Sequence, residues 1–333
     1  MAANSVLHSE RVGRSAAPNR RAGSRLYAWM ALAAALIIFA GFARTFYLRS
    51  SFGAPPLSAL LVVHGIVMTA WFVLFFVQVW LVGMGRTDLH RRVGVFGMIV
   101  AVLVLCVGVA AAIDAGRRGA APASGIVTPL EFMAVPLFDM PVFAALVGTA
   151  FWLRRKPDVH KRLMVLASLG MLTPAIARIP LRFIQDGGPP VFFGLAIMVV
   201  LACVAIDTLR HRQLHRAFAW GALLIVTMIP LRLFIAGTDA WTRFAGWLVR
   251  AYCLVLSTFE QSPQGGHLCP PAMASRITRW AQVPTLLATR SFGAPNCTPA
   301  CRPQSGVNFA LKVAMSFSSS NVTSCPCLPS ASR

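Results

Sequence analysis

Apolar runs of about 20 residues recur seven times within the first 236 positions of the chain. An α-helix rises ~1.5 Å per residue, so each run is long enough to cross a hydrocarbon core ~30 Å thick. Lipid offers the backbone no hydrogen-bond partner, which leaves helices or a closed barrel as spanning structures. Continuous runs of this length select helices. The runs are Leu26–Tyr47, Leu57–Val82, Val93–Ile113, Pro129–Leu153, Leu163–Ile184, Val191–Leu209 and Phe218–Ala236. The sequence therefore predicts an all-α, polytopic transmembrane bundle of about seven spans over residues 26–250. A basic, disordered cytoplasmic tail is expected at 1–25, and a low-complexity or frameshifted tail at 251–333.

Composition agrees. Charged residues make up 12% of the chain, about half of the ~25% usual in soluble domains. The net charge of +21 does not point to nucleic acid, because the bases sit in short clusters between apolar runs and no nucleic-acid-binding motif accompanies them. The N-terminal tail and the connectors at 85–92, 154–162 and 210–216 hold 16 Lys/Arg, and the opposite connectors hold five: Arg44, Arg49, Arg117, Arg118 and Arg182. By the positive-inside rule the basic connectors face the cytoplasm. The expectation is an inner-membrane protein with its N-terminus inside and, after seven spans, its C-terminus outside.

Polar groups within the spans are costly and call for partners. On the second span His64, Trp71 and Gln78 are spaced by seven, close to two helical turns, and form one stripe with Met68 and Phe75. That stripe is expected to face other helices. With the predicted orientation, His64, Glu131, Asp139, Arg178, Arg182 and Arg232 fall in the outer half of the membrane. They define either ion pairs that hold the bundle together or a polar pocket for a small ligand, with Gln78 further along the same stripe. Pro180 and Pro230 each free a carbonyl four residues earlier, which a neighbouring arginine is suited to satisfy.

Three histidines, His90, His160 and His215, begin spans from the basic connectors and are each followed by Arg or Lys. Asp88 and Asp158 precede the first two and suit helix capping. The expected partner there is lipid phosphate, bound by the bases and the helix start. The alternative is a weak metal or haem site where the three converge. No hydrolase elbow, phosphate loop or zinc-protease motif is present, so no catalytic residue is assigned and an enzyme is not expected.

The stretches His64-Gly65, Asp88-Leu-His90-Arg91-Arg92-Val93-Gly94, Pro174-Ala-Ile-Ala-Arg178 and Pro230-Leu-Arg232 resemble motifs of a family of bacterial multi-span membrane proteins without an assigned activity. The resemblance covers about residues 26–250. A wider similarity to cytochrome b561-like proteins implies haem. The bis-histidine pairing that haem requires is not evident in the sequence, where His64 alone lies well inside a span. Three readings therefore stand: a membrane protein that binds or transports a small ligand in an outer-half pocket, a haem- or quinone-linked redox protein, and a non-catalytic scaffold whose partners are membrane lipids.

Overall fold

A computed structural model describes residues 20–120 and 128–259, with side chains over 26–120 and 128–257. Every regular element among them is helical. In chain order these are α1 (Arg20–Phe42), a π-turn (Ala43–Tyr47) and a 3-10 turn (Arg49–Phe52), then α2 (Ala59–Gly83), α3 (Thr87–Arg117) and α4 (Pro129–Trp152). They continue with α5 (Pro157–Gly170), the one-turn α6 (Thr173–Ile176), α7 (Arg182–His211), α8 (Arg216–Ala236) and α9 (Asp239–Phe259). Six helices are long and apolar enough to cross a membrane: Leu26–Tyr47, α2, α3, α4, α7 and α8. Their exposed surface is itself apolar. Ile66 and Val73 on α2, Phe96 and Val102 on α3, and Trp220 on α8 all project outward, as lipid-facing side chains do and water-facing ones on this scale do not.

The run Leu163–Ile184 departs from the expected continuous helix. α5 stops at Gly170, α6 adds one turn, and Leu181 is already extended before α7 begins. The reason is burial. From Arg162 to Ile176 nearly every side chain is buried in protein, so the freed backbone groups of a break can find partners there. α9 was not expected either. It passes through residue 250 and ends at Phe259; the rest of the predicted tail, from residue 260, and residues 1–19 lie outside the described residues.

The chain packs as two compact units. Among the described residues, one contains 20–111 with Asp139–Met228, and the other 112–120 and 128–138 with 229–259.

In the first unit, contacts fix the direction of each helix. Tyr27, near the start of α1, bonds Asp207 near the end of α7, and Arg162 at the start of α5 bonds the same carboxylate. At the other end of α1 a Cβ on Gly41 would collide with the carbonyl of Ala175 in α6. From 27 to 41 on α1 is about 21 Å, and the segment from 162 to 175 runs beside it in the same direction. α2 begins at the α6 end, where Gly65 lies against the Phe46 ring and the Tyr47 and Thr69 hydroxyls meet at 2.9 Å. α4 finishes at the other end, where the Ala150 carbonyl receives His160. Small residues permit this close packing: Ala31 and Ala34 are buried on α1, and such positions let membrane helices approach by van der Waals contact. At the start of the kinked α7, Gly188 takes φ 60° before Pro189 and Pro190, a conformation in which a side chain is strained.

In the second unit α9 packs through Trp241, Ala245 and Val249, spaced by four along one face. The Trp241 indole donates to the Leu130 carbonyl at 2.8 Å, and Thr238 Oγ1 accepts from the Trp241 amide at 3.2 Å, capping the helix. Asp114 is held by Arg117 at 2.7 Å and Arg118 at 2.8 Å.

Candidate functional site

The break between α6 and α7 builds a pocket in the first unit. Arg44 and Thr45 follow α1, Arg178 and Pro180 lie in the break, and Arg182, Gln185 and Asp186 open α7; together they line a cavity of about 420 Å³. Carbonyls of the break are capped by two side chains, a glutamine and an arginine. Gln185 Nε2 donates to Ala177 O at 3.1 Å and Ile179 O at 2.9 Å. Arg178 donates to Pro174 O at 2.8 Å and stacks its guanidinium on the Phe42 ring at 5.1 Å. Arg44 stacks on Phe52 at the same distance. None of Arg44, Arg178 and Arg182 forms an ion pair within 4 Å among the described residues. Three cations against the single carboxylate of Asp186 leave the cavity lining with a net positive charge.

The structure divides the predicted outer-half cluster. Arg178 and Arg182 meet in the pocket, and Arg44, counted only as a connector base from sequence, joins them. His64 lies on α2 within electrostatic reach of Arg178 and beside the Val107 backbone, and its Nδ1 is buried without a hydrogen-bond partner. Asp139 belongs to the same unit, but the hydrogen bond of Arg178 goes to a carbonyl. Glu131 and Arg232 belong to the second unit. Glu131 closes a capping box at the start of α4: its Oε2 accepts from the Thr128 amide at 2.7 Å, and its own amide donates to Thr128 Oγ1 at 3.2 Å. That geometry satisfies two donors that a helix start otherwise leaves open. Arg232 donates to the Val135 carbonyl at 3.3 Å.

The α2 stripe does face other helices. Trp71 meets the Phe143 ring edge-on at 4.9 Å. Gln78 ties α2 to α3: with its amide turned to satisfy both ends, the oxygen accepts from Gly94 N at 2.9 Å and the nitrogen donates to His90 O at 3.1 Å and Nδ1 at 2.5 Å.

The three connector histidines do not converge, and among the described residues no group of three or more metal-ligating side chains forms. Two of them do meet. The rings of His90 and His160 lie 6.4 Å apart, centre to centre, at 79°, and His160 Nδ1 is held on Ala150 O at 2.8 Å. His215 instead caps its own helix, with Nδ1 accepting from the Ala217 amide at 3.1 Å; burial and then the nearby Arg162 charge lower its pKa, favouring the neutral ring that this bond requires. Asp158 is not a cap. It lies within the first turn of α5, whose N-cap is Lys156, and its hydrogen bond from Lys161, 2.6 Å, holds its carboxyl below the ordinary range.

One polar centre was missed from sequence. Asp207, fully buried, accepts from Tyr27 Oη at 2.7 Å and Arg162 Nε at 2.8 Å, and His211 Nδ1 lies 3.1 Å from its Oδ1. Arg162 also donates to Asp158 O at 3.0 Å and lies over the Phe218 ring. The signal was an aspartate inside an apolar run with a histidine four residues on. The network joins α1, α5 and α7, and its groups are engaged with one another, so it serves as a structural anchor. No protein-family model matches the chain, and neither a curated protein nor a solved structure matches it.

Proposed function

We propose that this is a seven-crossing membrane protein, with its N-terminus in the cytoplasm, that binds a small anionic ligand in the arginine pocket at the outer end of the bundle. The broken segment α5–α6 serves as the fifth crossing, since it runs the length of α1 from the Tyr27 end to the Gly41 end. The basic connectors at 85–92, 154–162 and 210–216 gather at the Tyr27 end, the end that the positive-inside rule assigns to the cytoplasm of an inner membrane. The observation that carries the binding reading is the set of three arginines around one cavity, drawn from two separate stretches of chain and without a carboxylate ion pair among the described residues. A thermal-shift panel of soluble and lipid-linked anions on the detergent-solubilised protein tests it. At least one class should stabilise the wild type, by about 2.7 kcal/mol at a hundredfold excess over its Kd, and Arg44→Gln and Arg182→Gln should abolish the effect. A panel without a single stabilising anion overturns the reading.

One observation favours a second reading, redox chemistry at the cytoplasmic end. The sequence offered no histidine pair, yet His90 and His160 face each other at 6.4 Å. Two opposed imidazoles bound to one metal at about 2.0 Å place their ring centres about 6 Å apart. Haem held there gives a visible band that His90→Ala and His160→Ala each remove; a colourless protein from haem-supplemented cells excludes this reading.

A further inference from the structure

The ligand class of the arginine pocket can be narrowed, and the narrowing rests on the anion-binding reading above. The guanidinium carbons of Arg44 and Arg178 each lie over an aromatic ring, Phe52 and Phe42, both 5.1 Å from the centroid. A guanidinium held beside a ring keeps N–H donors for an acceptor, and its fork matches a phosphate or carboxylate in two-point contact. Arg178 spends one of those donors on Pro174 O. The cavity, about 420 Å³, falls in the ~300–1,000 Å³ range of organic-ligand sites.

The segments that carry the arginines also carry exposed apolar side chains. Leu48 and Phe52 follow Arg44, and Leu181 and Phe183 flank Arg182; their exposures run from 44% to 57%. Charged donors beside bare apolar groups, at the ends of membrane-length helices, match an amphiphile at the level where headgroups meet acyl chains. We propose that the pocket binds a lipid-class anion, its phosphate or carboxylate head among Arg44, Arg178 and Arg182 and its hydrocarbon along Leu48, Leu181 and Phe183. The apolar side chains would then separate a lipid from a free oxyanion, which shares the head chemistry and lacks the tail.

The full chain, purified in mild detergent, is titrated with dioleoyl phosphatidylglycerol, dioleoyl phosphatidylcholine, glycerol phosphate and inorganic phosphate, with binding followed by native mass spectrometry and thermal shift. Phosphatidylglycerol should bind saturably and more tightly than the other three, and about tenfold more weakly in Arg44→Gln and Arg182→Gln. Leu181→Ser with Phe183→Ser should weaken the lipid without changing any response to glycerol phosphate. Arg178→Gln risks the fold because Arg178 ties the break, so Arg44 and Arg182 carry the test, and a matching elution profile reports the folding of their variants. Glycerol phosphate or inorganic phosphate binding as tightly as the lipid, with the same arginine dependence, overturns the amphiphile proposal and leaves the anion pocket standing. Lipid binding indifferent to Arg44 and Arg182 overturns it as well, and silence from every anion removes both.

Discussion

At the scale of single residues, Asp207 is the most consequential position outside the pocket. It is fully buried, and one carboxylate holds Tyr27 from α1 and Arg162 from α5. Removing one member of a buried ion pair strands the other charge and costs about 3–5 kcal/mol, whereas losing a single hydrogen bond costs about 1–2 kcal/mol. Asp207→Asn should therefore lower the thermal midpoint in detergent far more than Tyr27→Phe. Because the two groups share one carboxylate, the double variant should lose less than the two losses together; strictly additive losses would show that they are not one network. The sequence grouped Arg178 with Arg182, and the structure places both on one cavity. Residue-level reading from sequence passed over Asp207, which lies two residues from the end of the apolar run Val191–Leu209. Glu131 was legible in another role, since Thr128-Pro-Leu-Glu131 has the spacing of a capping box.

At the scale of elements, the departure that matters is the broken crossing. Apolarity alone does not separate a lipid-exposed helix from a protein-buried segment, and α5–α6 is the latter, which is why the run 163–184 reads as an ordinary span. The two prolines at 174 and 180 and the polar Ser168 and Thr173, both buried, were the available signs. α9 was hidden for the opposite reason: Asp239, Arg243 and Arg250 interrupt its apolarity, although Trp241, Ala245 and Val249 keep a spacing of four. The break is wedged against α1 where Gly41 leaves room for the Ala175 backbone. Gly41→Ala should separate the two segments and destabilise the protein by about 1–3 kcal/mol, the usual cost of overpacking. A variant with an unchanged thermal midpoint would contradict that close approach.

At the scale of the whole molecule, the apolar runs and the charge asymmetry made the helical membrane character and six of the long helices readable from sequence. The meeting of His90 with His160, and of Arg44 with Arg178, was not readable, because residues 70 and 134 positions apart come together only through packing. We propose that a segment whose helix is interrupted after Gly170 nonetheless carries the chain across, which sets the arginine pocket on the side opposite the basic connectors. Side-specific labelling tests it most directly. Single cysteines are introduced at Lys156 and Asp186 in a background with the native cysteines replaced, and probed in intact cells with a membrane-impermeant maleimide. Labelling at 186 without permeabilisation, and at 156 only after it, is the predicted result. Both positions labelled from the same side would mean that the broken segment turns back within the membrane, and the account would fail.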